Sequence, residues 1–178
     1  MEGYFHWILI NLFEFVACVA LIIPAVVLHE LGHLIAALMV GIPVRSIVLG
    51  GYDIKTAPLF YIFGVPLHIE RDSLGGRIGV DMSVVEEMPY RALAAIIAGP
   101  AAHVFLALVF GWLALNLENK SLIVIFAASV GVNLLLLLHN LKPKVSRDAR
   151  TLTDGGWIKA ILTGNTAEAV SKYNNHKD

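Results

Sequence analysis

The chain has 178 residues, of which 57% are hydrophobic and 15% are charged, whereas about 25% of the residues in an ordinary soluble domain are charged. The formal net charge is -1 at pH 7 and the basic residues are dispersed, which argues against a nucleic-acid-binding stripe. Cys18, the only cysteine, excludes an intramolecular disulfide and a cysteine-rich metal site. The composition therefore predicts a mainly α membrane protein with about three to four transmembrane helices.

The first predicted transmembrane helix covers residues 7–40 and is expected to bend at Pro24. The stretch from Phe15 to Val40 carries no charge outside positions 29–33 and is long enough to cross a hydrocarbon core of about 30 Å. The N-terminus lacks the basic start and the small-residue cleavage site of a signal peptide. We therefore expect this helix to be retained.

A short polar motif, His29-Glu30-Leu31-Gly32-His33, interrupts this apolar stretch. On a helix, His29 and His33 project from one face and can bind a single zinc ion. Glu30 lies about 100° further round the helix, where it can reach a water molecule on the metal. The motif alone also arises by chance, but an acidic residue at mid-membrane costs about 2.5 to 3.5 kcal/mol. The apolar surroundings therefore favour a metal site.

A short membrane-associated β-region, residues 44–80, is predicted between the first and second spans. Ser46 to Leu49, Leu59 to Phe63 and Leu67 to Ile69 are rich in β-branched and aromatic residues, between prolines and glycines. An exposed edge of these strands could receive an unwound substrate as an added strand; a passive surface loop is the alternative. His68 is expected to be exposed.

The second and third predicted spans cover residues 91–116 and 121–142, which are apolar with few polar interruptions. His103 and His139 either bond to a neighbouring helix or take part in the site, and Asn133 is expected to bond across helices. The predicted membrane core is residues 1–164. Residues 165–178 form a polar cytosolic tail, partly helical or disordered.

The distribution of positive charge predicts the orientation in the membrane. Seven Lys or Arg lie from the last residue of the third span onward, whereas Lys120 is the only one in the turn at 116–121. The first connection also carries basic residues, namely Arg45, Lys55, Arg71, Arg77 and Arg91. The positive-inside rule then places the N-terminus outside and the C-terminus in the cytosol of an inner or plasma membrane, with the two histidines toward the cytosolic side.

A catalytic zinc ion has three protein ligands and one open position, so a third ligand is required. Asp154 is the best candidate because it follows the third span on the same predicted side as His29 and His33. The adjacent Gly155 and Gly156 would allow close approach of the backbone. The alternative is an ordinary helix N-cap.

Several separated motifs, up to about Ile161, resemble the site-2 protease family of intramembrane zinc metalloproteases, in a compact form without PDZ or nucleotide-binding domains. The histidine motif is followed by Gly41-Ile42-Pro43-Val44, and Leu74-Gly75-Gly76-Arg77-Ile78 is similar to the family's Leu-Gly-Gly-Tyr-Val segment. Arg91-Ala92 and Ile97-Ala98-Gly99-Pro100 resemble the start of the next family helix. Asn140-Leu141-Lys142-Pro143 and Thr153-Asp154-Gly155-Gly156 resemble the Asn-Leu-x-Pro and Leu-Asp-Gly motifs.

The resemblance implies roles for specific residues. Asp154 would be the third zinc ligand, and Asn140 would lie by the active site, holding the substrate or the oxyanion. Leu74, Gly75 and Gly76 would belong to the region that binds the substrate strand.

The sequence departs from the family pattern at three places. Thr153 replaces the usual Leu, His103 stands where an Asn is common, and the polar stretch from Lys144 to Arg150 is longer. These departures put substrate contacts and local geometry in question more than metal binding.

The expected function is zinc-dependent hydrolysis of peptide bonds in or next to transmembrane segments, with Glu30 as the catalytic base. A catalytically silent membrane protein that binds partner helices is the main alternative, and a metal transporter is another. The expected partners are a transmembrane substrate and the lipid bilayer, with no nucleic acid. The oligomeric state and the particular substrate stay open.

Overall fold

The computed structural model describes residues 2–51, 54–71, 75–144 and 152–174, and the described chain is mainly helical. The helices are α1 (Glu2–Ala20), α2 (Ile22–Met39), α3 (Met82–Glu87), α4 (Pro89–Asn116), α5 (Lys120–Leu141), α6 (Asp154–Leu162) and α7 (Thr166–Asn174). The strands are β1 (Val44–Leu49), β2 (Phe60–Ile62), β3 (Val65–Ile69) and β4 (Gly76–Val80).

Three helical stretches are long and apolar enough to cross a membrane: Tyr4–Met39, Pro89–Asn116 and Lys120–Leu141. The first has 36 residues, or about 54 Å of helix, and is interrupted at Leu21 between α1 and α2. Pro24 lies just beyond this point and has no N–H to donate to the preceding turn, which accounts for the interruption near the predicted bend.

Helices α2, α4 and α5 enclose the polar residues of the bundle, and α4 packs against both of the others. Small residues allow α2 and α4 to approach closely: a methyl group at Gly32 would lie 2.7 Å from the carbonyl oxygen of Ala98. Ala37, Ala92 and Ala95 are buried in the same contact. Large apolar residues such as Trp112 and Leu115 instead face outward, as expected for a surface in contact with lipid.

The four strands form one sheet in the order β2-β3-β1-β4, so β2 and β4 are its edges. Strand β1 pairs parallel to β3 and antiparallel to β4. One face packs Ile47, Val65 and Leu67 against Leu34 of α2, which fixes the sheet beside the histidine motif.

The predicted β-region therefore contains strands at all three expected places, with shifted ends. It also contains β4, whose glycines made it unlike the other strands in sequence. The expectation for His68 is wrong: the side chain is buried, and its Nδ1 lies 2.9 Å from the carbonyl oxygen of Thr56.

The last two helices return the chain to the bundle. Helix α6 packs against α4 and α5, and α7 packs against α3 and α6. Thr166 and Val170 of α7 are buried, so the described part of the predicted tail is a packed helix. Residues 175–178 of that tail lie outside the described residues.

Candidate metal centre

His29 and His33 lie one turn apart on α2, and both are buried. Their Nε2 atoms are 3.0 Å apart, and the two rings meet edge to face with centroids 4.6 Å apart. The helix thus presents two imidazole nitrogens to the same point, as the spacing predicts.

Asp154, the first residue of α6, brings a carboxylate to these two nitrogens. Its Oδ2 is 3.1 Å from His29 Nε2, and its Oδ1 is 3.4 Å from His33 Nε2. Ligand atoms bound tetrahedrally to zinc at about 2.0 to 2.2 Å are roughly 3.3 to 3.5 Å apart. The three side chains therefore form a group that can hold one metal ion.

Two neighbouring residues place Asp154 there. A methyl group at Gly155 would overlap the carbonyl group of Leu141, so glycine allows α6 to begin against the end of α5. The N-cap of α6 is Thr153, whose side chain accepts the N–H of Gly156. The N-cap alternative for Asp154 is therefore wrong, and its carboxylate is free to face the histidines.

The electrostatics of Asp154 suit a metal ligand. Burial alone would raise the pKa of this carboxyl group. The facing imidazoles of His29 and His33 lower it by more than burial raises it, so that the pKa is about 2. The carboxylate is thus ionised at neutral pH, as metal binding requires. Among the described residues, Oδ2 has no partner in hydrogen-bonding geometry although it is buried. A bound cation would satisfy this oxygen.

Helix α4 orients His33. The Nδ1 of His33 lies 2.9 Å from the carbonyl oxygen of Ala95, so this nitrogen carries the proton and donates it to the carbonyl. The Nε2 lone pair is then directed at the metal position, as in metal-bound histidines generally. A methyl group at Gly99 would overlap the His33 ring, so glycine makes the space that the ligand occupies.

Glu30 lies next to the ligands, and its side chain is buried. Its Oε2 has no hydrogen-bond partner within the described parts of the chain. Gly76 of β4 packs directly against it: a methyl group at Gly76 would lie 2.6 Å from Glu30 Cγ and 2.8 Å from Oε1. The structure thus holds an unsatisfied carboxylate between the metal position and an edge strand.

Asn140 on α5 completes the polar surroundings of His29. Its Nδ2 is 3.4 Å from His29 Nε2 and 3.5 Å from His103 Nε2. His103 is buried, and its ring stacks on that of His29 with centroids 4.7 Å apart. His103 therefore does both things that were considered for it: it bonds to a neighbouring helix, and it lies beside the candidate metal site.

The bond from His103 runs to Asn133, as expected for a polar residue between helices. His103 Nδ1 is 3.0 Å from Asn133 Oδ1, and Asn133 Nδ2 donates to the carbonyl oxygen of Ser129 at 2.9 Å. The amide oxygen of Asn133 can only accept a hydrogen bond, so His103 carries its proton on Nδ1 and donates it.

The remaining predicted residues are Gly75, Leu74 and His139. Gly75 accepts the N–H of Gly50 at 2.7 Å through its carbonyl group and precedes β4. Leu74 lies outside the described residues, and His139 is exposed.

The sequence analysis assigned Gly76 to the substrate-strand region but did not predict its contact with Glu30, and it did not predict the contacts of Ala95 and Gly99 with His33. Glycine within an apolar helix, at Gly99, was the available signal.

Two imidazoles and a carboxylate around one position, with a second buried carboxylate beside them, are the kinds of side chain that hold a catalytic zinc ion and supply a base. The sequence model of Peptidase family M50 matches residues 16–174. The chain belongs to this family, that of the site-2 proteases, which confirms the resemblance.

One curated relative is a Synechocystis protein, sll0528, which is provisionally named a zinc metalloprotease. It is 30% identical over 157 residues, which are 84% of this chain and 33% of the relative. The chain thus spans about a third of the length of the relative it matches. No solved structure matches the chain.

Proposed function

We propose that this protein is an intramembrane zinc metalloprotease that hydrolyses peptide bonds in or next to transmembrane segments of its substrates. The observation that carries the proposal is the convergence of His29, His33 and Asp154 within reach of one metal ion. The two histidines lie on a helical stretch that is apolar enough to span a membrane. The family and the name of the relative support zinc as the metal.

The chain supplies the remaining groups for peptide hydrolysis. When bound, zinc acidifies a water molecule and polarises the scissile carbonyl group. Glu30 accepts the proton of the attacking water and delivers it to the leaving amine. Its burial and unsatisfied Oε2 suit this exchange. Asn140, whose Nδ2 lies 3.4 Å from His29 Nε2, would hold a carbonyl oxygen of the substrate.

The free edge of β4 offers a path for the substrate. A transmembrane helix bonds its carbonyl groups internally and has to unwind before hydrolysis. An unwound segment can pair with a sheet edge through backbone hydrogen bonds. Because Gly76 of β4 touches Glu30, a segment paired along this edge would bring its peptide bonds to the base. Among the described residues, α2 packs more extensively against β4 than against β2, the opposite edge of the sheet.

Cleavage of a membrane-embedded reporter by purified protein in detergent or liposomes tests this function. Glu30→Gln removes the base while keeping the side-chain shape, so turnover should fall by about 10² to 10⁴-fold with the zinc content unchanged. The matched control is Glu14→Gln, an acidic residue of α1 in the same apolar stretch, which should cleave at the wild-type rate.

Two results would contradict the proposal. Cleavage by Glu30→Gln at the wild-type rate would remove Glu30 from the mechanism. A zinc-loaded wild-type protein that binds membrane helices without cutting them would instead support the catalytically silent alternative.

A further inference from the structure

The hydroxyl group of Thr153 connects the end of α5 to the beginning of α6. Its Oγ1 donates to the carbonyl oxygen of Lys142 at 2.8 Å. It accepts the N–H of Lys144 at 3.1 Å and the N–H of Gly156 at 3.3 Å. A hydroxyl group has one donor and two acceptor positions, and all three are used here.

The backbone of Thr153 strengthens the same connection. Its N–H donates to the carbonyl oxygen of Lys144 at 3.0 Å, and its carbonyl oxygen accepts the N–H of Trp157 at 3.0 Å. Thr153 is thus bonded both to the segment that leaves α5 and to the first turn of α6. Asp154, the next residue, belongs to α6.

We propose that Thr153 is a positioning residue that sets the metal affinity of the site by holding Asp154 against His29 and His33. The proposal rests on the metal centre of the proposed function. A side chain without a hydroxyl group cannot make this three-way connection.

The expected loss of zinc affinity is estimated from residues that support metal ligands in proteins generally. Loss of such a partner typically weakens metal binding by about 10- to 100-fold. Thr153→Val keeps the branched shape and removes all three hydroxyl bonds. Thr153→Ser keeps the hydroxyl group and should restore the affinity to near the wild-type value.

The experiment is a zinc titration of the full chain in detergent against a competing chelator. Thr153→Val should bind zinc about 10- to 100-fold more weakly than the wild type. The matched control is Thr163→Val at the other end of α6, where Oγ1 donates to the carbonyl oxygen of Lys159 at 2.8 Å. This control should bind zinc as the wild type does.

A second variant separates positioning from helix capping. Glycine is well tolerated at the N-cap position, so Thr153→Gly removes the hydroxyl group at little cost to the stability of α6. If Thr153 positions Asp154, Thr153→Gly should also lose zinc affinity. This variant also tests the proposal if Thr153→Val does not fold. Zinc affinity equal to the wild type in the folded variant, with only a lowered melting temperature, would overturn the proposal.

Cleavage at saturating zinc separates this proposal from the proposed function. If Thr153 acts through metal affinity, excess zinc should return the turnover of Thr153→Val to near the wild-type rate. A persistent turnover defect at full zinc occupancy would contradict an effect through affinity. Absence of cleavage by the wild type would sink the proposed function, while the zinc titration would still decide the role of Thr153.

Discussion

Glycine stands at three positions where any side chain would disturb the metal centre. Gly76 touches Glu30, Gly99 touches the His33 ring, and Gly155 touches the carbonyl group of Leu141. Each glycine belongs to a different element, so the backbones of β4, α4 and α6 can all pack closely at the site. The geometry of the site therefore depends on these three glycines as well as on its polar side chains.

Gly76→Ala tests this dependence at the base. The added methyl group would lie 2.6 Å from Glu30 Cγ, so the carboxylate has to move. A displacement of about 1 Å at a reacting group can lower the rate about 10²-fold, while the three ligands keep the metal. The measurement is reporter turnover and zinc content side by side.

Gly131→Ala is the matched control, since a methyl group there would meet no atom of the described residues within 4 Å. Wild-type turnover by Gly76→Ala would show that the contact between β4 and Glu30 does not constrain the base.

Helix α4 acts as the support for α2 rather than as a source of ligands. The carbonyl oxygen of Ala95 accepts a hydrogen bond from His33 Nδ1. Gly99, one turn further along, leaves space for the His33 ring. His103, one turn beyond Gly99, stacks on the other ligand, His29. One face of α4 thus orients both histidines.

Gly99→Ala should therefore weaken zinc binding, because the added methyl group overlaps the His33 ring. Gly111→Ala provides the comparison on the same helix, since a methyl group there would meet only Val130 Cγ2 at 3.8 Å. Chelator competition should show a loss of about tenfold or more for Gly99→Ala and none for Gly111→Ala. Equal affinities would mean that α4 does not constrain His33.

The parts of this architecture that sequence could predict are those governed by local periodicity. His29 and His33 share a face because helical spacing puts them there, and the long apolar stretches give the candidate spans. Asp154 could be proposed as a ligand only with the family motif beside it. The contacts of Ala95 and Thr153 depend on distances between separate helices, which no local pattern encodes, and the glycine at position 99 signals a close approach without naming its partner.

At the scale of the whole molecule, the charge distribution predicts an N-terminus outside and a C-terminus in the cytosol. Single cysteines in a Cys18→Ser background test this with a membrane-impermeant thiol reagent on intact cells. Glu118→Cys, between α4 and α5, should be labelled directly. Asn165→Cys, between α6 and α7, should be labelled only after permeabilisation. The reverse pattern would show that the orientation is inverted.

The central claim is that His29, His33 and Asp154 together bind one zinc ion, and zinc content per chain after washing with a weak chelator tests it most directly. Wild type and Glu30→Gln should each keep about one zinc per chain, because both retain the three ligands. Asp154→Asn, which preserves shape but removes the charge, should lose most of the metal. A folded Asp154→Asn protein with zinc equal to the wild type would contradict the account.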